Sequence, residues 1–363
     1  MTNSRDIMTE IIVRKRCPER MGVYEHFWDD TKPEWERRDG LPPGTDLTSY
    51  FDYDLRQVGG WCFNHESLID GGSFVSEDET TKVVINGYGA KMRYWKHRAG
   101  TPEHLGFDLT SREIWEKKYR EPLLGYDPRR LGDTAKLKQG LADAKKEGRF
   151  TVLNHLFIFE IMRASMGDVV MLESMYLDPE WITDFCTVNT DLYITHLDRV
   201  FSDAGLPDGM WIYEDMGFTK APFISPELYR ELILPHHRRL VNYIHDCGIP
   251  VIMHSCGNIR PLLPDIAASG IDCLQVLEAK AGQHVAEFAQ ATGNKRSFMG
   301  NLNIVALETN DRAAIDAEII PKLDAVRKNR VPYVFHSDHS IPKSVTLDTY
   351  RYVRDLHRKL GHY

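Results

Sequence analysis

The sequence predicts an α/β protein of the TIM (β/α)8 barrel type, a single domain over 1–363 with an N-terminal extension and a β-hairpin insertion. Three observations carry this reading. From residue 150 onward short apolar runs alternate with amphipathic stretches of roughly ten to twenty residues, the rhythm of strand and crossover helix in a parallel sheet. The runs are continuous in their hydrophobicity, as strands covered on both faces must be. Each run ends in a polar residue of a kind that carries chemistry, and in a barrel of this type the loops after the strands build the active site.

The strands expected are Phe150 to Leu153, Gly209 to Tyr213, Pro250 to Met253, Ile271 to Leu277, Arg296 to Met299 and Val331 to Phe335, with helices Pro179 to Ala204, Pro226 to Cys247 and Asp311 to Asn329 between them. This part, 150–360, is the regular one. Residues 1–50 are rich in charge, proline and tryptophan and read as a wrapping segment without visible chemistry. Asp52 to Trp61 ends in Gly59-Gly60, which suits a tight turn or a close approach of backbone to a ligand. Thr81 to Lys96 sets two β-rich runs around Asn86-Gly87, a strong hairpin signal, so 81–96 is the insertion. Charged helices follow over Ser111 to Tyr119 and Ala135 to Glu147, the second stopped by Gly148. The first third is expected to cover the C-terminal face of the barrel, because its aromatic residues need a surface to bury against.

Composition excludes several classes. A net charge of −8 and the lack of a basic run argue against nucleic acid as partner. No apolar run approaches the ~18 residues of a spanning helix, and the first residues lack a signal-peptide core, so a cytoplasmic protein without a membrane partner is expected. The six cysteines are scattered, which fits reduced thiols. A homo-oligomer is compatible with all of this.

The strand ends supply the candidate site. His254 and Cys256 leave one strand two residues apart, and a mixed N/S pair is typical of zinc. His336, Asp338 and His339 follow the last strand and could complete a three-ligand site with an open position; Glu214 or Asp215 could fill that position or orient a ligating imidazole. Glu214, Asp215 and Glu278, facing one cavity, would differ in pKa, which suits one of them to general acid work. His155, Asn301 and Asn303 stand at further strand ends, and Trp61, Trp211 and Phe218 could pack against an aromatic ether.

At His254-Ser255-Cys256-Gly257, Gly300-Asn301-Leu302, Leu277 to Gly282 and Ser337 to Pro342 the chain resembles the uroporphyrinogen decarboxylase superfamily, and within it the zinc-dependent methyltransferases that act on methylated corrinoid proteins. The resemblance implies the barrel fold and a zinc site in which His254, Cys256 and His339 match a His-x-Cys pair and a later cysteine; here histidine replaces that cysteine, and His336 or Glu214 could take the third place instead. The strand-end reading supplies a catalytic set drawn from Glu214, Asp215, Glu278, His155 and Asp338, and a substrate pocket drawn from Trp61, Asn301, Asn303 and His336. The arginine-rich N-terminal motif of true uroporphyrinogen decarboxylases has no counterpart. The expected activity is therefore methyl transfer between a small methylated substrate, such as a methoxy compound, and a corrinoid or other acceptor. The chain has no Asp-x-His-x-x-Gly segment, so the corrinoid would arrive on a separate protein. The alternatives are a decarboxylase or lyase of a small carboxylic acid and a non-catalytic scaffold.

Overall fold

The computed structural model describes residues 3–97 and 100–363. Twelve strands occur among them: β1 (Gly22–Val23), β2 (Leu55–Trp61), β3 (Ser73–Glu77), β4 (Thr81–Ile85), β5 (Ala90–Trp95), β6 (Glu103–Phe107), β7 (Phe150–Leu156), β8 (Gly209–Tyr213), β9 (Val251–Ser255), β10 (Cys273–Val276), β11 (Ser297–Gly300) and β12 (Tyr333–Phe335). Eight of them form one sheet in the order β1-β12-β11-β10-β9-β8-β7-β2. Every adjacent pair in it is parallel. The other four make an antiparallel sheet in sequence order.

The wrapping segment therefore does more than wrap: it contributes β1, and Asp52 to Trp61 is largely strand β2. Neither has the signature of a buried strand, since β1 is two residues long and β2 is interrupted by Gly59-Gly60. The two strands meet at Asp54. Its N–H donates to the Val23 carbonyl at 2.9 Å, its own carbonyl accepts from Phe150 N–H at 2.9 Å, and its carboxylate accepts the Val23 N–H at 2.9 Å. Arg20 closes over the same carboxylate with two bonds of 2.6 Å. This seam joins the first and last strands of the sheet and curls it into a barrel.

The helices begin and end where side chains satisfy their free main-chain groups. Asp178 accepts the Trp181 N–H ahead of Pro179, which starts the helix Pro179–Ala204, and Gly205 at φ 89° ends it. Thr346 caps Leu347–Leu360, whose apolar face includes Tyr350, Val353 and Leu356. The helix expected over Pro226 to Cys247 is split into Pro226–Leu228, a π turn Tyr229–Ile233 and Leu234–Asp246. Pro235 has no N–H for the carbonyl four residues earlier, and the π turn absorbs that mismatch.

The expected hairpin is the centre of the four-stranded sheet. Between β4 and β5 the Asn86 side chain accepts the N–H groups of Tyr88 and Ala90 at 3.1 and 3.0 Å, which fixes the turn. This sheet lies on the helix Ile158–Leu177, where Gly167 at φ 73° leaves room for the Phe107 ring. The connection from β5 to β6 carries Thr101 to the C-terminal mouth of the barrel.

Asp54→Ala is expected to destabilise the protein by about 3 kcal/mol, because it removes the seam's acceptor and strands a half-buried Arg20 guanidinium. Denaturant unfolding of the variant beside Arg20→Ala measures this; a loss well under 1 kcal/mol would show that the main-chain bonds alone hold the seam.

Candidate metal centre

His254 lies on β9 and Cys256 just beyond it, so the strand positions the imidazole and the loop the thiol. Cys256 Sγ is 3.2 Å from His254 Nε2. Asp215, two residues past β8, puts Oδ1 3.1 Å from the same nitrogen. That oxygen also accepts the Cys256 N–H at 2.9 Å, which ties the β8 loop to the β9 loop. The Gln275 carboxamide oxygen on β10 bonds His254 Nδ1. An amide oxygen only accepts, so Nδ1 carries a hydrogen and Nε2 is turned toward the sulfur and the carboxylate.

One nitrogen, one sulfur and one oxygen thus lie within 4.8 Å of one another. Their charges are interdependent. Burial opposes a charge on His254, but the neighbouring Cys256 sulfur and Asp215 carboxylate outweigh it and hold the imidazole pKa well above its usual value. Burial also opposes ionisation of Asp215, yet His254 and the Cys256 N–H keep its carboxyl below the ordinary range. Burial pushes the Cys256 thiol up, with His254 opposing and Asp215 adding to the rise. A divalent cation reverses that balance by favouring thiolate and neutral imidazole.

The loops beneath these donors cross at two glycines. A Cβ on Gly217 would stand 2.5 Å from the Cys256 carbonyl oxygen, and one on Gly257 would strike the Gly217 backbone. Gly257 also sits at φ 73°. Its N–H donates to Glu278 at 2.6 Å, so a third strand end steadies the Cys256 loop.

A cavity of about 250 Å³ opens over the donors, with His26, Trp28, Thr101, Tyr213, His336 and His339 in its walls. Of the residues singled out in the sequence, Asp215, His254, Cys256, His336 and His339 line it. His339 is outside the three-donor group and faces the Trp28 ring, the centroids 5.6 Å apart.

The others are engaged elsewhere. Glu214 is fully buried, accepts the N–H groups of Phe159 and Glu160 at 2.9 and 3.1 Å, and meets His237 at 2.6 Å. Glu278 holds the Cys256 loop from behind. Asp338 accepts the N–H groups of Ala279 and Ile304 at 2.9 and 2.8 Å. Asn301 is buried, bonding the carbonyls of Leu277 and Gln283. Asn303 caps the short helix Ile304–Glu308. His155 bonds the Phe63 carbonyl at 3.0 Å and the Tyr193 hydroxyl at 2.7 Å, and burial pushes its pKa down to about 4. Trp61 is half-exposed and stands beside the cavity against Tyr213, the centroids 6.1 Å apart. Sequence reasoning passed over His26, Tyr213 and Gln275. Tyr213 ended an expected strand and Gln275 lay inside one at a position that period-two geometry points inward, a signal that was there to use; His26 lay beyond a strand too short to recognise.

Residues 159–360 match the uroporphyrinogen decarboxylase (URO-D) family. The chain belongs to that family. Over 92 residues it is 41% identical to the methylated-thiol--coenzyme M methyltransferase of Methanosarcina mazei, a stretch that is 25% of this chain and 23% of that protein. Over 139 residues it is 31% identical to the uroporphyrinogen decarboxylase of Nocardia farcinica, 38% of this chain and 36% of that protein. The matched stretches thus span well under half of these curated relatives. A solved structure described as a methyltransferase from Methanosarcina mazei superposes with a TM-score of 0.64 at 10% identity, covering 98% of this chain and 99% of the other, which shows a shared fold. No helix among the described residues is long and apolar enough to cross a membrane.

Gly257→Ala is expected to cost about 1–3 kcal/mol from left-handed backbone, with more from the clash with Gly217. Gly282→Ala is the control, since Gly282 also has positive φ but its Cβ would meet nothing within 4 Å. Equal melting temperatures for the two variants would show that the loop crossing tolerates a methyl group.

Proposed function

We propose that the chain is an enzyme that moves a methyl group from a small methylated substrate to a corrinoid carried by another protein, or to a thiol acceptor. The observation that carries this reading is the convergence of His254 Nε2, Cys256 Sγ and Asp215 Oδ1 at the floor of the cavity. The donor set, with N, S and O ligands and an imidazole oriented through its other nitrogen, fits zinc. Zinc held by His254, Cys256 and Asp215 would supply Lewis-acid polarisation of the substrate's heteroatom, or lower the pKa of a bound thiol.

The chain's own residues do the rest. Gln275 fixes the His254 ring, and the Asp215 bond to the Cys256 N–H fixes the loop that carries the sulfur. Trp28 and Tyr213 wall the cavity and Thr101 reaches its mouth from the antiparallel sheet, a disposition that limits water around a reacting methyl group. His339, across the cavity from Cys256 in this reading, faces the substrate and leaves the third ligand place to Asp215.

A second reading, loss of a carboxyl group from a small acid, is favoured by the relatives named uroporphyrinogen decarboxylase. Against it, among the described residues no Arg or Lys lines the cavity to pair with a substrate carboxylate.

Metal analysis of the purified protein is expected to give one zinc per chain. Cys256→Ala and Asp215→Asn should lose it, His339→Ala should keep it, and Gln275→Leu should weaken it ten- to a hundredfold. Full zinc in Cys256→Ala would remove the proposal; loss in His339→Ala with retention in Asp215→Asn would move the third ligand to His339.

A further inference from the structure

We propose that Glu25, His336 and His26 form a proton relay, and that His26 hands its proton to the heteroatom from which the methyl group departs. The use of the proton rests on the methyl-transfer reading; the relay itself rests on geometry. None of the three belongs to the donor group at the floor. They come from the ends of β1 and β12, neighbours in the barrel wall, and His26 and His336 both line the cavity.

Hydrogen bonds define the path from His336 to the cavity, and a close contact joins His336 to Glu25. His336 Nδ1 bonds the Ser337 carbonyl and so carries a hydrogen, which leaves Nε2 as its exchangeable position. That nitrogen lies 3.3 Å from Glu25 Oε1 on one side and 3.3 Å from His26 Nδ1 on the other. His26 Nε2 in turn lies 3.1 Å from the Gln57 amide nitrogen and 3.4 Å from the Tyr213 hydroxyl, on the wall of the cavity. Glu25 is held in place by the Ser337 N–H at 3.0 Å and the Ser337 hydroxyl at 2.8 Å. The His26 main-chain N–H also donates to Oε1 at 3.0 Å, so the contact with His336 is the fourth that this carboxyl makes.

The step balances with one proton. In the loaded form Glu25 and His336 share it, and His26 carries its hydrogen on Nε2, toward the cavity. The methyl group passes to the nucleophilic acceptor with the electron pair of the broken bond left on the heteroatom. His26 Nε2–H protonates that atom, and His26 Nδ1 takes the proton from His336 Nε2. The relay ends with Glu25 as carboxylate and His26 carrying its hydrogen on Nδ1, the form in which Gln57 can donate to Nε2. Solvent reloads it.

Burial sets the resting state. It pushes the Glu25 carboxyl up to about 8, with the Ser337 bonds opposing and Asp338 adding a little, so the relay is loaded at neutral pH and discharges as pH rises through that value. It pushes His336 down to about 3 and His26 well below its usual value, so neither ring keeps the proton for itself. The other titratable groups facing the relay are Tyr24, Tyr53, Tyr213, Tyr333, Tyr350, Asp338, His254 and His339.

Histidine-selective nitrogen NMR of the purified full chain tests the relay without substrate. His26 should change tautomer, and His336 Nε2 should lose its shared proton, in one step near about pH 8, and Glu25→Gln should abolish it. Independent titrations, or an unchanged step in Glu25→Gln, would overturn the relay. Where Glu25→Gln does not fold, His26→Gln at the cavity wall replaces it: His336 should still titrate with Glu25, and a silent His336 would overturn the relay. With methoxybenzene as donor and reduced cobalamin as acceptor, wild-type kcat should fall above that pH, and His26→Gln should lower kcat about a hundredfold with KM and zinc content unchanged. Unchanged kcat would overturn the role of His26. Absence of methyl transfer in wild type beside an intact shared NMR step would count against the methyl-transfer reading and not against the relay.

Discussion

The whole arrangement depends on the carboxylate of Asp54. A parallel sheet of eight strands has two edges, and an open edge here would leave the aromatic interior, Tyr24, Tyr53 and Trp211, in water. Asp54 closes the gap with its main chain and its side chain together, engaging Val23, Phe150 and Arg20 at once. The consequence at the other end of the barrel is direct. Once β1 is pinned beside β12, Glu25 and His26 must emerge next to His336, and a segment that looks like wrapping becomes one wall of the cavity.

Carboxylates at strand ends divide here into two kinds by what they face. The loops of the C-terminal face carry many main-chain N–H groups in tight turns, and a buried N–H without an acceptor costs as much as a lost hydrogen bond. Glu214, Glu278 and Asp338 meet that need: each accepts main-chain N–H groups of a neighbouring loop, at Phe159 and Glu160, at Gly257, and at Ala279 and Ile304. Asp215 accepts one N–H and still points the same oxygen at His254. Only Asp215 of these four combines a structural bond with a place in the cavity wall. The three anchoring carboxylates are nonetheless what allow loops from different strands to meet within bonding distance.

The later barrel was legible in the sequence because its strands are buried on both faces and its helices carry caps: Gly209–Tyr213 and Pro179–Ala204 lie where the pattern puts them. β1 and β2 were not legible. A strand of two residues has no period, and one that bends at Gly59-Gly60 carries the signal of a turn. At the site, residue type and strand-end position located His254, Cys256, His336 and His339 at one cavity. Those criteria cannot tell a carboxylate that holds a loop from one that faces a ligand, because the difference lies in the path of a neighbouring main chain. Gln275 illustrates the complementary failure. It sits inside a strand, and its inward position acquires meaning only from the register that pairs it with His254.

Membership of the URO-D family settles the scaffold and leaves the chemistry to the cavity. The floor of this one gathers ionisable donors: a carboxylate at Asp215, an imidazole held toward its charged form at His254 and a thiol held toward its neutral form at Cys256. Such a donor set suits a divalent cation. The upper wall is its electrical opposite in character: Tyr213, Trp28, His26 and His336 are uncharged at neutral pH or nearly so, given the downward push of burial on both imidazoles. A neutral methylated substrate, as proposed above, would leave neither surface with an unpaired charge. In the proposed methyl transfer the one charge created, on the departing heteroatom, would arise between the residues that would hold a cation and the wall that carries His26 and His336. A reaction that must stabilise a transient anion and then protonate it uses both surfaces, which is the strongest physical ground for assigning the floor and the wall to one chemical event.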